Sequence, residues 1–148
     1  MAESRTIRPF EDHDQEQVIR LWQACGLVSP VNDPALDIER KKRVQREMFL
    51  VARIGGAVVG TVMAGYEGHR GWINYLAVSP EHQKTGLGRA LMEEAEKLLR
   101  AIGCPKINLQ VRTSNAQVRA FYERIGFGEE PVVSFGKRLV QDSSGRPS

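Results

Sequence analysis

The sequence has little of what marks secreted, metal-binding or membrane-spanning proteins. Its 148 residues contain only two cysteines, Cys25 and Cys104, which are too few for a disulfide framework and lack the spacing of metal ligands. No apolar run approaches the roughly 20 residues that a membrane span needs, and no apolar segment of a secretory signal follows the first five residues. We therefore expect a cytoplasmic protein that has no metal site and no membrane partner.

Composition and charge are those of an ordinary globular domain. Hydrophobic residues make up 41% of the chain and charged residues 26%, and the net charge is +3. This positive charge is only weak evidence for nucleic acid, which is an unlikely partner. The basic run from Arg40 to Arg46 is interpreted as a solvated helix face, with a basic rim near an anionic cofactor or an acidic substrate as the alternative. We predict one domain over residues 1–148, with flexible ends at residues 1–4 and 142–148.

Hydrophobic periodicity predicts the element order β-α-α-β-β-β-α-β-α-β. Strands are expected at residues 6–9, 48–54, 57–66, 72–78, 106–111 and 132–140, the last as one strand or a pair. Helices are expected from a capping box at Asp12 and Gln15 to Gly26, over 35–46 after Asp33-Pro34, over 87–102, and from a second capping box at Ser114 and Gln117 to Gly126. This order predicts an α/β fold with a mixed, mostly antiparallel central sheet flanked by helices.

A glycine-containing turn stands between the predicted strand 72–78 and the strongly amphipathic helix that follows it. Its pattern is Gln83-x-x-Gly86-x-Gly88, and spaced glycines at a helix start can turn several backbone N–H groups toward an anion. The pattern is not a Walker loop, because Arg89-Ala90 follows the second glycine, and position 91 is not the small residue of a dinucleotide fingerprint. The alternative is a tight turn that binds nothing.

Three segments of the chain resemble the GCN5-related N-acetyltransferase (GNAT) superfamily. They are YLAVSP at residues 75–80, QKTGLGRAL at 83–91, and Asn115 followed by FYERIGF at 121–127. The resemblance covers nearly the whole chain, and residues 49–52 and 65–71 are further similar to the bacterial YpeA-like branch. It implies the acyl-CoA N-acyltransferase fold and an enzyme that moves an acetyl group from acetyl-CoA to a primary amine. The implied reaction is direct attack through a tetrahedral intermediate.

The resemblance also implies roles for individual residues. Pyrophosphate would be held mainly by backbone N–H groups of Gln83, Lys84, Thr85, Gly86, Leu87, Gly88 and Arg89. The pantetheine arm would bond the strand edge at Leu76, Ala77 and Val78, with the N–H of Ala77 or Val78 as the oxyanion donor. Asn115 would contact the pantetheine, and Tyr122 would be the general acid that protonates the departing thiolate, although a packed core tyrosine is the alternative.

The general base does not follow from the resemblance. The positions at which family members place glutamate hold Trp72 and Gln110 here, and Gln110 argues against acetylation of a ribosomal-protein alanine. The remaining candidates are Glu67, His69, Glu81 and ordered water, and of the side chains His69 or Glu67 is preferred. Solvated surface residues are the alternative for each of them.

The predicted acceptor pocket lies between the first two helices, the loop at residues 27–33 and the turn at 67–70. Trp22, Tyr66 and Trp72 are candidates to line it, with core packing as the alternative for each. Cys25 lies on an apolar helix stripe without a neighbouring base, which argues against an acyl-cysteine intermediate. The competing function is a non-catalytic acyl-CoA-binding regulatory module, and exposed strand edges near the C-terminus are compatible with a homodimer.

Overall fold

The computed structural model describes residues 4–142. One five-stranded sheet contains β1 (Arg5–Pro9), β2 (Phe49–Ile54), β3 (Ala57–Tyr66), β4 (Gly71–Val78) and β5 (Ile107–Leu109), in that spatial order. The helices are α1 (Gln15–Ala24), α2 (Pro34–Lys42), α3 (Leu87–Ala101) and α4 (Ala116–Arg124), with short 3-10 turns at 12–14, 46–48 and 80–82. No helix within residues 4–142 combines the length and the apolar character that crossing a membrane requires.

The sheet is mixed and mostly antiparallel, as the sequence predicts. Strands β1 to β4 pair antiparallel, and β5 returns parallel to β4 after the α3 crossover. The parallel pairing joins Gly71–Ile73 to Ile107–Leu109 and goes no further. The second half of β4 therefore has β3 on one side and no paired strand on the other among the residues described.

Each face of the sheet is covered by a different pair of helices. The stripe of α3 that contains Leu87, Leu91, Ala95 and Leu99 packs with Tyr122 of α4 on one face. Val18 and Trp22 of α1 and Ile38 of α2 pack on the other face, against Phe49 and Ala77. We call these the α3–α4 face and the α1–α2 face.

Local signals explain most element boundaries. Asp33 caps α2, because its Oδ1 accepts the N–H groups of Ala35 (2.9 Å) and Leu36 (3.4 Å), and Pro34 follows as the first helical residue. Gly55 supplies the positive φ of the β2–β3 hairpin. Helix α2 ends at Lys42, four residues before the predicted end, since Arg43 to Gln45 turn the chain into β2.

Both predicted capping boxes are misplaced. The first is formed by Glu11 and Asp14, with the Glu11 N–H bonded to Asp14 Oδ2 at 2.9 Å, and not by Asp12 and Gln15. The second N-cap is Asn115, whose Oδ1 accepts the Val118 N–H at 3.1 Å, rather than Ser114. In each case the residue immediately before or after the predicted one is the N-cap, and at the second site Asn115 and Ser114 have similar capping ability.

The predicted final strand at 132–140 is wrong. These residues form no strand, and five apolar side chains are exposed there, the most exposed being Phe135 at 91%. At the expected flexible end, the Asp142 side chain is 1% exposed and is bonded bidentately by Arg40 (2.8 and 3.1 Å). The expectations for residues 1–3 and 143–148 lie outside the described residues.

Candidate active site

The glycine turn follows β4 and the 3-10 turn at 80–82, and it lies on the surface. Gly86 is the residue before α3 and has a φ of 84°, a left-handed conformation that favours glycine. A Cβ placed on Gly86 would meet nothing within 4 Å. Residues 83–86 are exposed, so a ligand can approach the backbone of the turn from solvent.

Seven consecutive backbone N–H groups of this turn have no partner in the described part of the chain. From Gln83 to Arg89, none donates a hydrogen bond to any residue between 4 and 142. The side chains of the turn bond locally instead, since Gln83 Nε2 donates to the Val78 carbonyl (3.1 Å) and Thr85 Oγ1 to the His82 carbonyl. Free N–H groups at a helix start are a binding site for an anion.

Gly88 has a packing role that the sequence did not reveal. A Cβ there would lie 3.3 Å from Phe121 Cζ and 3.6 Å from Val78 Cγ2. The missing side chain therefore lets α3, α4 and the end of β4 converge. The two glycines differ in function: Gly86 leaves the turn open, and Gly88 brings α4 close to β4.

The open edge of β4 presents backbone groups beside the glycine turn. Ser79 donates its N–H to the Val59 carbonyl (2.8 Å), and hydrogen-bonded pairs alternate along an antiparallel ladder. Ala77, opposite Thr61, therefore directs its N–H toward β3, whereas Val78 directs its N–H and carbonyl away from β3. The Val78 carbonyl accepts from Cys25 Sγ (3.3 Å) and Gln83 Nε2, which agrees with this orientation.

A bulge interrupts β4 just before this edge. Met63 pairs with Asn74 and Thr61 with Ala77, so Tyr75 and Leu76 stand opposite the single residue Val62. Tyr75 has a φ of 51°, which for a bulky residue costs on the order of 1–3 kcal/mol. No sequence signal distinguishes this position, because glycine ordinarily takes a left-handed place in a bulge.

Tyr122 is packed on the α3–α4 face, but its hydroxyl group reaches the surface. The residue is 8% exposed, and its ring lies edge-on to Phe121 and Phe127, with centroids 5.1 and 5.6 Å away. Its hydroxyl has no hydrogen bond within residues 4–142. The one fully buried side-chain polar atom without a partner in that range is Ser29 Oγ, so the unpartnered Tyr122 hydroxyl is not fully buried. Burial raises the pKa of Tyr122 to about 12, so the phenol keeps its proton at neutral pH.

The candidate bases lie at the other end of β4. Glu67 accepts the N–H groups of Arg70 and His69 on Oε1 and Trp72 Nε1 on Oε2 at 3.1 Å. The Arg70 backbone bond is the main reason that the pKa of Glu67 is lowered, which weakens it as a base. His69 is exposed in the same loop. Eight residues of β4 separate this loop from the glycine turn, a distance of about 25 Å.

The predicted acceptor residues divide between this loop and the core. Tyr66 and Trp72 flank the loop, with the Tyr66 hydroxyl bonded to the Gly68 carbonyl (3.0 Å) and Trp72 39% exposed. Trp22 is fully buried, and its Nε1 donates to Thr61 Oγ1 at 2.9 Å. The prediction that Trp22 lines a pocket is therefore wrong, because a tryptophan on the apolar stripe of α1 packs into the core.

The basic run from Arg40 to Arg46 is largely paired. Arg40 binds Asp142, Lys42 and Arg46 both bind Asp12 (3.0 and 2.7 Å), and Lys41 donates to the Ala64 carbonyl. These contacts leave no continuous basic face of the kind that binds nucleic acid. Within residues 4–142, no group of three or more His, Cys, Asp or Glu side chains is placed to hold a metal ion.

Comparison with known proteins gives consistent matches. The model of the acetyltransferase (GNAT) family matches residues 10–127. The structure of Ard1 from Thermoplasma volcanium is 31% identical, with 84% of this chain and 82% of that chain covered and a TM-score of 0.74. The ribosomal-protein-S18-alanine N-acetyltransferase from Escherichia coli is 26% identical, with 86% and 79% covered and a TM-score of 0.72. Aminoglycoside N-acetyltransferase AAC(6')-Iy, solved with CoA, shares the fold at 17% identity, with 94% and 98% covered and a TM-score of 0.75.

Proposed function

The chain belongs to the acetyltransferase (GNAT) family, and from this premise we propose that it transfers an acetyl group from acetyl-CoA to a primary amine. The observation that carries the proposal is the run of seven unpartnered N–H groups from Gln83 to Arg89 beside the open edge of β4. A diphosphate needs several such donors, and a pantetheine arm needs an unpaired strand edge. The similarity at residues 49–52 and 65–71 supports the YpeA-like branch as the narrower relationship.

The proposed cofactor site uses the backbone more than side chains. The N–H groups of 83–89 hold the pyrophosphate, assisted by the positive end of α3. Val78 bonds the pantetheine arm through its N–H, which faces away from β3, whereas its carbonyl is already bonded by Cys25 and Gln83. Asn115 contributes its side-chain amide nitrogen at most, because its oxygen already caps α4. These contacts direct the sulfur toward the bulge at Tyr75 and Leu76.

The reaction uses few protein groups. Acetyl-CoA supplies an activated acyl carbonyl, and the acceptor must arrive as a neutral amine because an ammonium has no lone pair. Tyr122 gives its hydroxyl proton to the sulfur as the carbon–sulfur bond breaks. Ala77 is a poor oxyanion donor because its N–H faces β3, so the donor comes from Leu76 or Val78.

Two features support the assignment of the acceptor side. Trp72 and Asn74 are exposed on the α1–α2 face of β4, whereas Tyr66 packs against the α3–α4 cluster, and we propose that the amine approaches beside Trp72. Glu67 is committed to its loop and His69 stands at the far end of the strand, so ordered water is the proposed proton acceptor. This arrangement suits a small amine that sheds its proton to solvent.

A non-catalytic acyl-CoA-binding module remains the second candidate. The observation that favours it is that Glu67, a candidate base, is already bonded by its own loop and by Trp72. Calorimetry with CoA and a thiol-release assay with a panel of polyamines, amino sugars and N-terminal peptides separate the two functions. We expect binding and turnover with at least one amine. Binding without turnover on any of them supports the module, and absence of CoA binding contradicts both functions.

A further inference from the structure

Tyr75 is held in its left-handed conformation from three directions. Its ring stacks on the buried Trp22 of α1, with centroids 3.8 Å apart and planes inclined by 14°. Its hydroxyl donates to Asp37 Oδ2 of α2 at 2.7 Å. Its backbone carbonyl accepts the hydroxyl of Thr61 on β3 at 2.8 Å. A conformation that is unfavourable for tyrosine is thus imposed by α1, α2 and β3 together.

The bond to the Tyr75 carbonyl is part of a buried chain of donors. Trp22 Nε1 donates to Thr61 Oγ1 at 2.9 Å, and both side chains are fully buried. Because Trp22 occupies the hydroxyl oxygen as a donor, the single Thr61 proton is directed to the Tyr75 carbonyl. The chain from Trp22 through Thr61 to Tyr75 therefore has one direction and is satisfied at every step.

This chain fixes the orientation of the peptide group between Tyr75 and Leu76. No peptide bond in residues 4–142 is cis, and in a trans peptide the carbonyl and the following N–H point in opposite directions. With the Tyr75 carbonyl directed at the Thr61 hydroxyl, the Leu76 N–H points away from that hydroxyl. The alternation with Ala77, whose N–H faces β3, likewise directs the Leu76 N–H away from β3. Strand β5 ends its pairing at Ile73, so this N–H faces the open edge of β4.

We propose that Trp22, Thr61 and Tyr75 are positioning residues that aim the Leu76 N–H at the carbonyl oxygen of the bound acetyl thioester. This inference rests on the proposed function, and it selects Leu76 over Val78 as the oxyanion donor. The Val78 N–H, two residues closer to the glycine turn, then bonds the pantetheine arm. A fixed donor stabilises developing negative charge because it needs no reorganisation during the reaction.

Isotope-edited infrared spectroscopy of bound acetyl-CoA labelled with ¹³C at the thioester carbonyl tests this role without an acceptor amine. A hydrogen bond to the carbonyl lowers its stretching frequency relative to free acetyl-CoA. Thr61→Val removes the hydroxyl with little change in shape, and Thr61→Ser keeps it. Val62→Ala, a buried change on the same strand without a hydrogen bond to Tyr75, controls for general loosening of the sheet.

We expect a lowered frequency in the native protein and in Thr61→Ser. In Thr61→Val we expect at least half of the shift to be lost, while the Kd for CoA changes less than threefold. A native frequency in Thr61→Val, or an equal loss in Val62→Ala, would overturn the positioning role. If the native protein binds acetyl-CoA but the carbonyl frequency is unshifted, only the positioning role is overturned. If the native protein does not bind acetyl-CoA, the proposed function is overturned as well.

Discussion

The two ends of β4 differ in how their polar groups are used. At the end that leads to α3, seven N–H groups from Gln83 to Arg89 have no partner within residues 4–142. At the end that begins at Gly71, the Glu67 carboxylate accepts three donors from its own loop and Trp72. The glycine-turn end presents backbone N–H groups without hydrogen-bond partners. The loop end contains ionisable and aromatic side chains whose polar groups are already hydrogen-bonded within the loop.

This difference shows that residue chemistry alone is a poor guide to a binding site. Glutamate, histidine, tyrosine and tryptophan gather at the loop end, yet their strongest polar groups stabilise the turn. The glycine turn has few reactive side chains, but its backbone geometry is open to an anion. A site is better recognised by groups that the fold leaves unpaired, because unpaired groups gain most from a ligand.

A negative charge added to the glycine turn should have the largest effect, a weaker binding of CoA. We expect Gly86→Asp to raise the Kd for CoA about 1,000-fold, roughly 4 kcal/mol, because a carboxylate would stand where phosphate oxygens bind. Gly86→Asn is the matched control: asparagine has the same shape and both residues tolerate a positive φ, so its loss should be tenfold or less. Equal losses in calorimetry would show that shape, not charge, matters. Gly88→Asp is also expected to abolish CoA binding. It would not separate the effect of charge from that of shape, because a side chain at Gly88 would crowd Phe121.

Removal of one hydroxyl on α4 should have the next largest effect. We expect Tyr122→Phe to lower kcat about 100-fold, the lower end for loss of a general acid, with the Kd for CoA unchanged. Since the pKa of Tyr122 is raised to about 12, its ionisation should not reduce the native rate below about pH 11. Stopped-time thiol release over pH 6–10 measures both effects. Undiminished turnover in Tyr122→Phe would remove the residue from the mechanism.

Changes at the loop end should have little effect on catalysis. Glu67→Gln and His69→Gln should each alter kcat and the Kd for CoA by less than about threefold, because the Glu67 carboxylate is bonded within its own loop and by Trp72, and His69 is exposed in the same loop. The same thiol-release and calorimetric assays apply. A loss of 100-fold in kcat for either variant would identify a base there and would break the contrast between the two ends.

Acid should loosen the loop end alone, and this is the smallest effect. The pKa of Glu67 is lowered in the fold, so its stabilising contribution is present above the ordinary glutamate value of about 4.3 and is lost as pH falls through the lowered value. Hydrogen exchange should show protection of the His69 and Arg70 amides near pH 5 that decreases as the pH falls through the lowered pKa of Glu67. Amides 83–89 should be unprotected throughout in the ligand-free protein. Protection there would contradict an open turn.

The sequence predicts the elements whose signals are local. Strand β3 has the predicted bounds, and helix α3 starts where expected and ends one residue early, since Gly103 and Pro105 stop it. The Asp33-Pro34 start of α2 is confirmed by its capping bonds. The glycine turn was also found from sequence, because glycine spacing between a strand and an amphipathic helix is itself a geometric signal.

The errors concern features that depend on distant partners. The run Val132 to Val140 has strand-like composition, but strand preference depends on a neighbouring strand, and none pairs with it. The sequence leaves Trp22 open between a pocket and the core, and its bond to Thr61 and its ring contact with Phe49 place it in the core. The bulge at Tyr75 was missed, because the contacts that impose it come from α1, α2 and β3.

The bond between Arg40 and Asp142 has a consequence for how the molecule assembles. The two residues are 102 positions apart in the chain, whereas the β2–β3 and β3–β4 hairpins join neighbours in sequence. Closing a long loop costs more entropy than closing a short one, and distant contacts tend to form after local ones. We therefore expect the hairpin sheet to form early in refolding and the segment from Glu130 to Asp142 to dock last, fastened by the Asp142 carboxylate.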